Sequence, residues 1–309
     1  MKINLLKKYI TTFSFVIGTF YTLQACDVCG GGVGGNYLGL LPQFQKHFIG
    51  IRYQYKSFES RHLTLFDDEV PVVTYEKFHS AELWGRFVVN RKIHLFAFLP
   101  YSYNRKNEEG KISAYQGLGD MTLLANYIIF NTAEMRKSDW RHALQAGVGI
   151  KLPTGKSDKK DPYTNILVQS IQNGTGSWDI PINLNYTLRY KDWGTSLDAS
   201  YKFNLANERH YQFGDNINVN WRAFYWFDIN GLSLLPSLGL AYEKTFLATD
   251  RNIIEPYSAR ESLLSQVALD FYYKNLIVGL QMQNPLYQNL ALGQMKEFSR
   301  FRINLSFLI

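Results

Sequence analysis

The groups in this chain that could do chemistry are six histidines, two cysteines and a surplus of positive charge. The histidines are His47, His62, His79, His94, His142 and His210. A nucleophilic hydrolase needs Ser and His within hydrogen-bond reach and a third group to orient the base. None of the six stands in such a setting, and no GxSxG, HExxH or phosphate loop occurs. His79 and His94 fall on strands expected to pair, but the turn between them sets them at different heights. No catalytic residue is assigned, no enzyme is expected and no cofactor is implied.

The cysteines are Cys26 and Cys29, spaced CxxC and followed by a glycine-rich run. Two thiolates make half a zinc site. A redox CxxC sits at a strand–helix junction, and none is predicted here. Two readings rank above these. Cys26 carries a lipid, since Leu23-Gln24-Ala25-Cys26 resembles a lipoprotein cleavage box. Alternatively it pairs with Cys29 in an oxidising compartment. The formal net charge of +7 could serve nucleic acid, but there is no basic helix, zinc spacing or RNA-binding motif. The remaining source is a set of charged residues that recur at every second position of alternating segments.

Those segments organise the chain. In residues 180–190, Ile180, Ile182, Leu184, Tyr186, Leu188 and Tyr190 share one face; Asn183, Asn185 and Arg189 share the other. After Lys191-Asp192 the pattern restarts from Trp193 to Leu205. Period two means strand, and two such runs about a short polar turn mean a hairpin. Soluble strands average about 5–6 residues, whereas a tilted strand needs roughly 9–11 to cross a bilayer. These runs match the second length. A strand in hydrocarbon must pair on both edges, which only a closed barrel achieves. Mean hydropathy of −0.21 agrees, because only alternate residues meet lipid.

The expected fold is all-β: a transmembrane up-and-down antiparallel β-barrel of about twelve strands over residues 47–309. The strands are expected near residues 47–56, 75–89, 92–103, 117–130, 140–154, 178–190, 193–205, 213–227, 232–245, 258–273, 276–286 and 297–309. Short turns alternate with long loops, as in outer-membrane barrels, where the short turns face the periplasm. Residues 59–74, 104–116, 155–177, 206–212, 246–257 and 287–296 are expected as the long loops. Pro100, Pro153 and Pro285 are expected near strand ends; Pro181 and Pro236 are expected to mark bulges.

Energetics assign the faces. Arg or Lys facing lipid at mid-bilayer costs about 2–4 kcal/mol each. The lumen is therefore expected to collect Arg52, Arg86, Lys151, Arg189, Lys202, Arg222 and Arg302, with Glu82, Asp198, Glu243 and Asp270. Turned outward, that set would exceed a domain's stability of about 5–15 kcal/mol. A charged lumen implies either a path for polar solutes, anionic ones if open, or charges that pair across a plugged interior. Residues 1–25 read as an export signal: Lys2, Lys7 and Lys8, then an apolar stretch, then Ala25. Residues 26–46 read as a glycine-rich periplasmic leader.

Three stretches carry a resemblance: Gly117-Leu118-Gly119-Asp120, Leu152-Pro153-Thr154-Gly155, and Gly174-Thr175-Gly176-Ser177-Trp178-Asp179. In this order and spacing they are similar to a family of outer-membrane transporters assigned to the meta-pathway of phenol degradation. The similarity runs from about Ile49 to Ile309. It implies a barrel that transports small solutes across the outer membrane of a Gram-negative bacterium; nothing in these residues supports phenol itself. The Cys26/Cys29 leader lies outside the family pattern, and Ile309 stands where the family commonly ends on Phe. The implied partners are outer-membrane lipids, a small solute and the barrel-assembly machinery, with no nucleic acid. By residue type, Gly117, Gly119, Pro153, Gly155, Gly174 and Gly176 are turn-formers. Asp120 and Asp179 would accept hydrogen bonds near the outer rim or touch a solute at the pore mouth, with Trp178 beside them. A surface-binding or structural barrel without a pore is the alternative, and an outer-membrane hydrolase ranks below both.

Overall fold

The computed structural model describes residues 46–62, 72–132, 139–165 and 167–309. The export signal, the leader, Cys26 and Cys29 lie outside the described residues. Twelve antiparallel strands form one closed sheet. They are β1 (Phe48–His62), β2 (Val72–Val88), β3 (Ile93–Glu108), β4 (Lys111–Leu118 and Thr122–Asn131), β5 (Trp140–Lys151) and β6 (Asp179–Tyr190). Next come β7 (Trp193–Asn204), β8 (Asn216–Tyr225), β9 (Leu232–Thr245), β10 (Arg260–Tyr273), β11 (Leu276–Leu290) and β12 (Met295–Glu297 and Arg300–Leu308). Each strand pairs with its sequence neighbour, and β12 returns to β1 with Tyr53 opposite Ile303 and Phe48 opposite Leu308. Among the described residues no helix is long and apolar enough to cross a membrane; this chain crosses with strands.

Alternation decides which way each side chain points. On β1, Ile49 and Ile51 are at least half exposed, while Gly50 between them and Phe48 and Arg52 on either side are buried. The same split holds on β12, where Phe301, Ile303, Leu305 and Phe307 face out and Arg300 and Ser306 face in. In water such a continuous apolar surface would drive aggregation; around a barrel it is the lipid contact. Aromatic rings frame it, with Trp140 on Tyr190 and Trp193 on Tyr225 at one end. Tyr53, Tyr101 and Tyr103 stand toward the other. The one-residue slip that would turn the charges into lipid is excluded by this energetic contrast.

Apart from Glu109-Gly110 and Arg251-Asn252 at the opposite end, the tight turns among the described residues gather at one end. Asn90 Oδ1 accepts from the amides of Lys92 and Ile93 at 2.8 and 2.9 Å. Asn230 and Gly231 both take positive φ (49° and 84°), the type I′ geometry that matches strand twist. Both described chain ends meet here as well, since the Ile309 amide donates to the His47 carbonyl at 2.9 Å.

The structure corrects several expectations. Residues 104–116 are not a loop: β3 and β4 run on to a turn at Glu109-Gly110. Above the bilayer neither face must be apolar, so the period-two signal fades although the strands continue. The same cause extends β1, β2 and β11 past their expected ends, and residues 246–257 contain a small hairpin, Ala248–Asp250 with Ile253–Glu255. Pro181 and Pro236 sit in register opposite Lys202 and Leu269 and mark no bulge. Their missing amides fall where pairing lapses on the other side. The β5–β6 ladder skips Gly149 and Ile150, and β8 breaks at Tyr225-Trp226 opposite Leu235-Pro236. Pro100 lies inside β3, beside the gap that splits β4, and only its carbonyl is used, accepting from Gly119 at 2.7 Å. Bulges occur between Ile128 and Phe130 and opposite Leu263/Leu264, next to Pro285.

Candidate functional site

The inward faces of the strands fill the barrel in three tiers. At the end with the short turns, Phe48, Trp84, Phe96, Phe98, Leu124, Phe224, Leu235, Tyr272, Ile277 and Leu308 form one buried apolar cluster. These are lumen-facing residues, so the cluster is a floor. At the opposite end the β5–β6 connection folds inward. Its Val168 and Ile171 pack on Phe58, Phe78, Tyr115 and Leu290. Asn104 donates to the Ile171 carbonyl at 2.9 Å and Asn173 donates to the Ser102 carbonyl at 3.1 Å. The connection contains a three-residue 3-10 turn, Gln169–Ile171, with Ser170 and Ile171 buried.

Between floor and infolded loop lies a cavity of about 180 Å³. Five cationic side chains line it, Arg52, Lys56, Lys151, Lys202 and Arg302, against two acids, Glu82 and Asp120. Arg52 is 3.2 Å from Glu82 and its guanidinium stacks 4.2 Å above the Trp84 ring. Arg302 donates to Gln281 at 3.1 Å.

The three motif stretches meet at one edge of this cavity. Asp120 accepts from the Gly155 amide through Oδ1 at 2.9 Å. Through Oδ2 it accepts from both the amide and the hydroxyl of Thr175 at 2.8 Å. Asp179 accepts from Ser177 Oγ at 2.9 Å and from the Leu205 amide at 3.2 Å. Buried Lys151 stands between the two carboxylates, 3.1 Å from Asp120 and 2.5 Å from Asp179, and also donates to Thr175 Oγ1. A Cβ on Gly174 would lie 2.5 Å from the backbone of Gly155, and Gly176 takes φ +71°. Glycine is needed because two backbones touch. Pro153 stands two residues past the end of β5; Gly117 is the penultimate residue of the first segment of β4, and Gly119 opens the break. The exposed Trp178 opens β6 on the lipid side.

The remaining sequence candidates lie elsewhere in the lumen. Glu243 binds Arg300 through two parallel bonds of 2.6 and 2.8 Å. Arg222 is 3.9 Å from Asp270, and Asp198 accepts from Asn185. Arg86 donates to the Lys46 carbonyl at the chain-end side, and Arg189 stacks 4.5 Å over Trp226. Five candidates, Arg52, Glu82, Lys151, Lys202 and Arg302, therefore share the cavity, and the other six do not. Side-chain atoms of Asn126, Asn183 and His94 are buried with no hydrogen-bond partner among the described residues. Such groups demand water, which suits a wet interior.

The sequence profile of a family described as "Putative MetA-pathway of phenol degradation" matches residues 67–252, more than half of the chain. The chain belongs to this family. The match is shorter than the span from Ile49 to Ile309 expected from the motifs, but it contains all three. No curated protein matches the chain. Among solved structures, an outer membrane channel from Pseudomonas putida F1 superposes with a TM-score of 0.64 at 15% identity, over 85% of this chain and 96% of that one. The beta domain of the Bordetella autotransporter BrkA superposes at 0.51 with 9% identity, over 85% of this chain and 100% of that one. At these identities the likeness is one of fold: the protein is an outer-membrane β-barrel.

Within this phenol-degradation family member, sequence reasoning passed over Lys56, Arg300 and Glu297. Lys56 follows Arg52 by four on the inward face of β1, a signal that was available. Arg300 and Glu297 fall at the split in β12, where alternation gives no face.

Proposed function

We propose that the protein is an outer-membrane channel that admits small anionic solutes through its cationic chamber. The observation that carries this reading is the lining of the cavity, five cations against two acids. Rings of basic side chains favour anions in pores. The Pseudomonas putida structure is described as a channel, which agrees without naming a solute. The family description mentions phenol degradation, and no residue of the cavity argues for phenol as cargo. The reading includes no catalysis. His79 faces outward and bonds the Tyr53 hydroxyl at 2.8 Å; His142 faces outward and bonds Tyr186 at 2.9 Å. His94 is buried on the inward face of β3, so none of these shares a site with another.

Reconstitution into planar lipid bilayers tests the proposal. Small single-channel currents with a reversal potential displaced toward the anion are expected. Cation selectivity would overturn it. The second reading, a barrel that binds at its surface without conducting, is favoured by the apolar floor, and absence of current would support it.

A further inference from the structure

We infer that the chamber is a binding site for a small organic anion whose apolar body is about one ring, its charge held by Lys56 and Lys202; this rests on the anion-channel reading and names its solute class. Lys56 is 4% exposed and Lys202 is half-buried, and both line the cavity. Neither makes a hydrogen bond or an ion pair among the described residues, although each stands near a pair of carboxylates. Those carboxylates are already claimed. Glu243 and Glu297, beside Lys56, both bind Arg300. Asp120 and Asp179, beside Lys202, both flank Lys151. An ammonium group has three donors, and in both lysines these reach the cavity without a protein acceptor among the described residues. Two of them aimed into one cavity call for an anionic guest.

The apolar part of the wall selects the guest's body. Phe78, Phe98, Pro100, Pro181 and Phe213 offer no hydrogen bond, beside polar groups such as Ser80, Ser102 and Thr122. An inorganic anion held at the lysines would leave those rings uncovered. A guest with one charged end and one apolar end satisfies both walls. Size agrees, since an apolar cavity of about 150 Å³ holds benzene and this one measures about 180 Å³.

Titration calorimetry on the folded full-length barrel in detergent tests the inference. The probes are cyclohexanecarboxylate, benzoate, acetate, inorganic phosphate and neutral cyclohexylmethanol. Both ring acids are expected to bind at least tenfold more tightly than the other three. Lys56→Met and Lys202→Met should each weaken the ring acids tenfold or more, and Phe98→Ala should weaken them while leaving acetate unchanged. Equal affinity for acetate and ring acids, tighter binding of phosphate, or full affinity in the Lys56→Met/Lys202→Met double variant would overturn it. The panel on the unaltered protein decides the matter even if a variant fails to fold. Binding is read without current. A barrel that binds ring acids but passes no ions overturns only the channel reading; an anion channel indifferent to ring acids overturns only this inference.

Discussion

At the residue scale, the contact that fixes the lumen is Lys151 between Asp120 and Asp179. Asp179 is fully buried and Lys151 nearly so. Burying ions is expensive, and the cost is met only while the set stays complete. Lys151→Met leaves two buried carboxylates with no countercharge between them. The expected loss is about 3–5 kcal/mol, read as a lower urea midpoint of the folded barrel in micelles. Adding Asp120→Asn and Asp179→Asn to that variant should recover part of it. An unchanged midpoint in the single variant would mean that the three charges are not coupled. The glycine contact behind this set is steric. Ala at Gly174 drives a Cβ to 2.5 Å from Gly155, and overpacking of this kind costs about 1–3 kcal/mol. The same urea experiment should place Gly174→Ala within that range, with cavity binding weakened because the loop must shift.

At the element scale, the infolded β5–β6 connection turns a plain barrel into one with a chamber. Its outer anchor is Asp161, which accepts from Ser113 Oγ at 2.6 Å and from the amides of Tyr163 and Thr164 at 2.9 and 3.1 Å. Burial pushes this carboxyl up, but the Ser113 hydroxyl, those two amides and the charge of Lys106 together hold it below its ordinary value. A carboxyl lowered on folding contributes stability above its unfolded pKa of about 3.9 and loses it as pH falls through the folded value. The loop should therefore stay docked across pH 5–8 and loosen only below about pH 4. Hydrogen exchange of the Tyr163 and Thr164 amides against pH checks this, and Asp161→Asn should remove the acid dependence. None of this docking is written as periodicity. Residues 155–177 read as a polar loop because their aliphatic members, Ile166-Leu167-Val168 and Ile171, form one short cluster that sets no strand or helix period. The strands were legible for the opposite reason: lipid on one side and charge on the other impose alternation at every position within the bilayer. Where that contrast ends, at Asn104 on β3 or Leu290 on β11, the pattern ends too, although the backbone pairing does not. The motif stretches were legible as turns, but their convergence on Lys151 depends on strand stagger, which no linear spacing reveals.

At the scale of the whole molecule, the proposed channel gives the apolar floor and the cationic chamber different roles. Charge in the chamber would govern which ion is preferred, and the floor how much passes. Phe96 and Phe224 are buried in the floor from opposite walls, on β3 and β8. Neither lines the cavity. Truncating each to Ala should cost about 3–5 kcal/mol of stability, which a closed twelve-stranded sheet is expected to tolerate. If the floor is the constriction, the Phe96→Ala/Phe224→Ala variant should raise single-channel conductance several-fold while the reversal potential keeps its anionic sign. Lys56→Glu with Lys202→Glu should do the reverse, moving the reversal potential toward cations with a smaller change in conductance. Both are read from the same bilayer recordings. Conductance unaltered by the floor variant would put the constriction at the infolded loop instead, where Ile171 meets Phe58 and Phe78, because that cluster is the other apolar seal across the lumen.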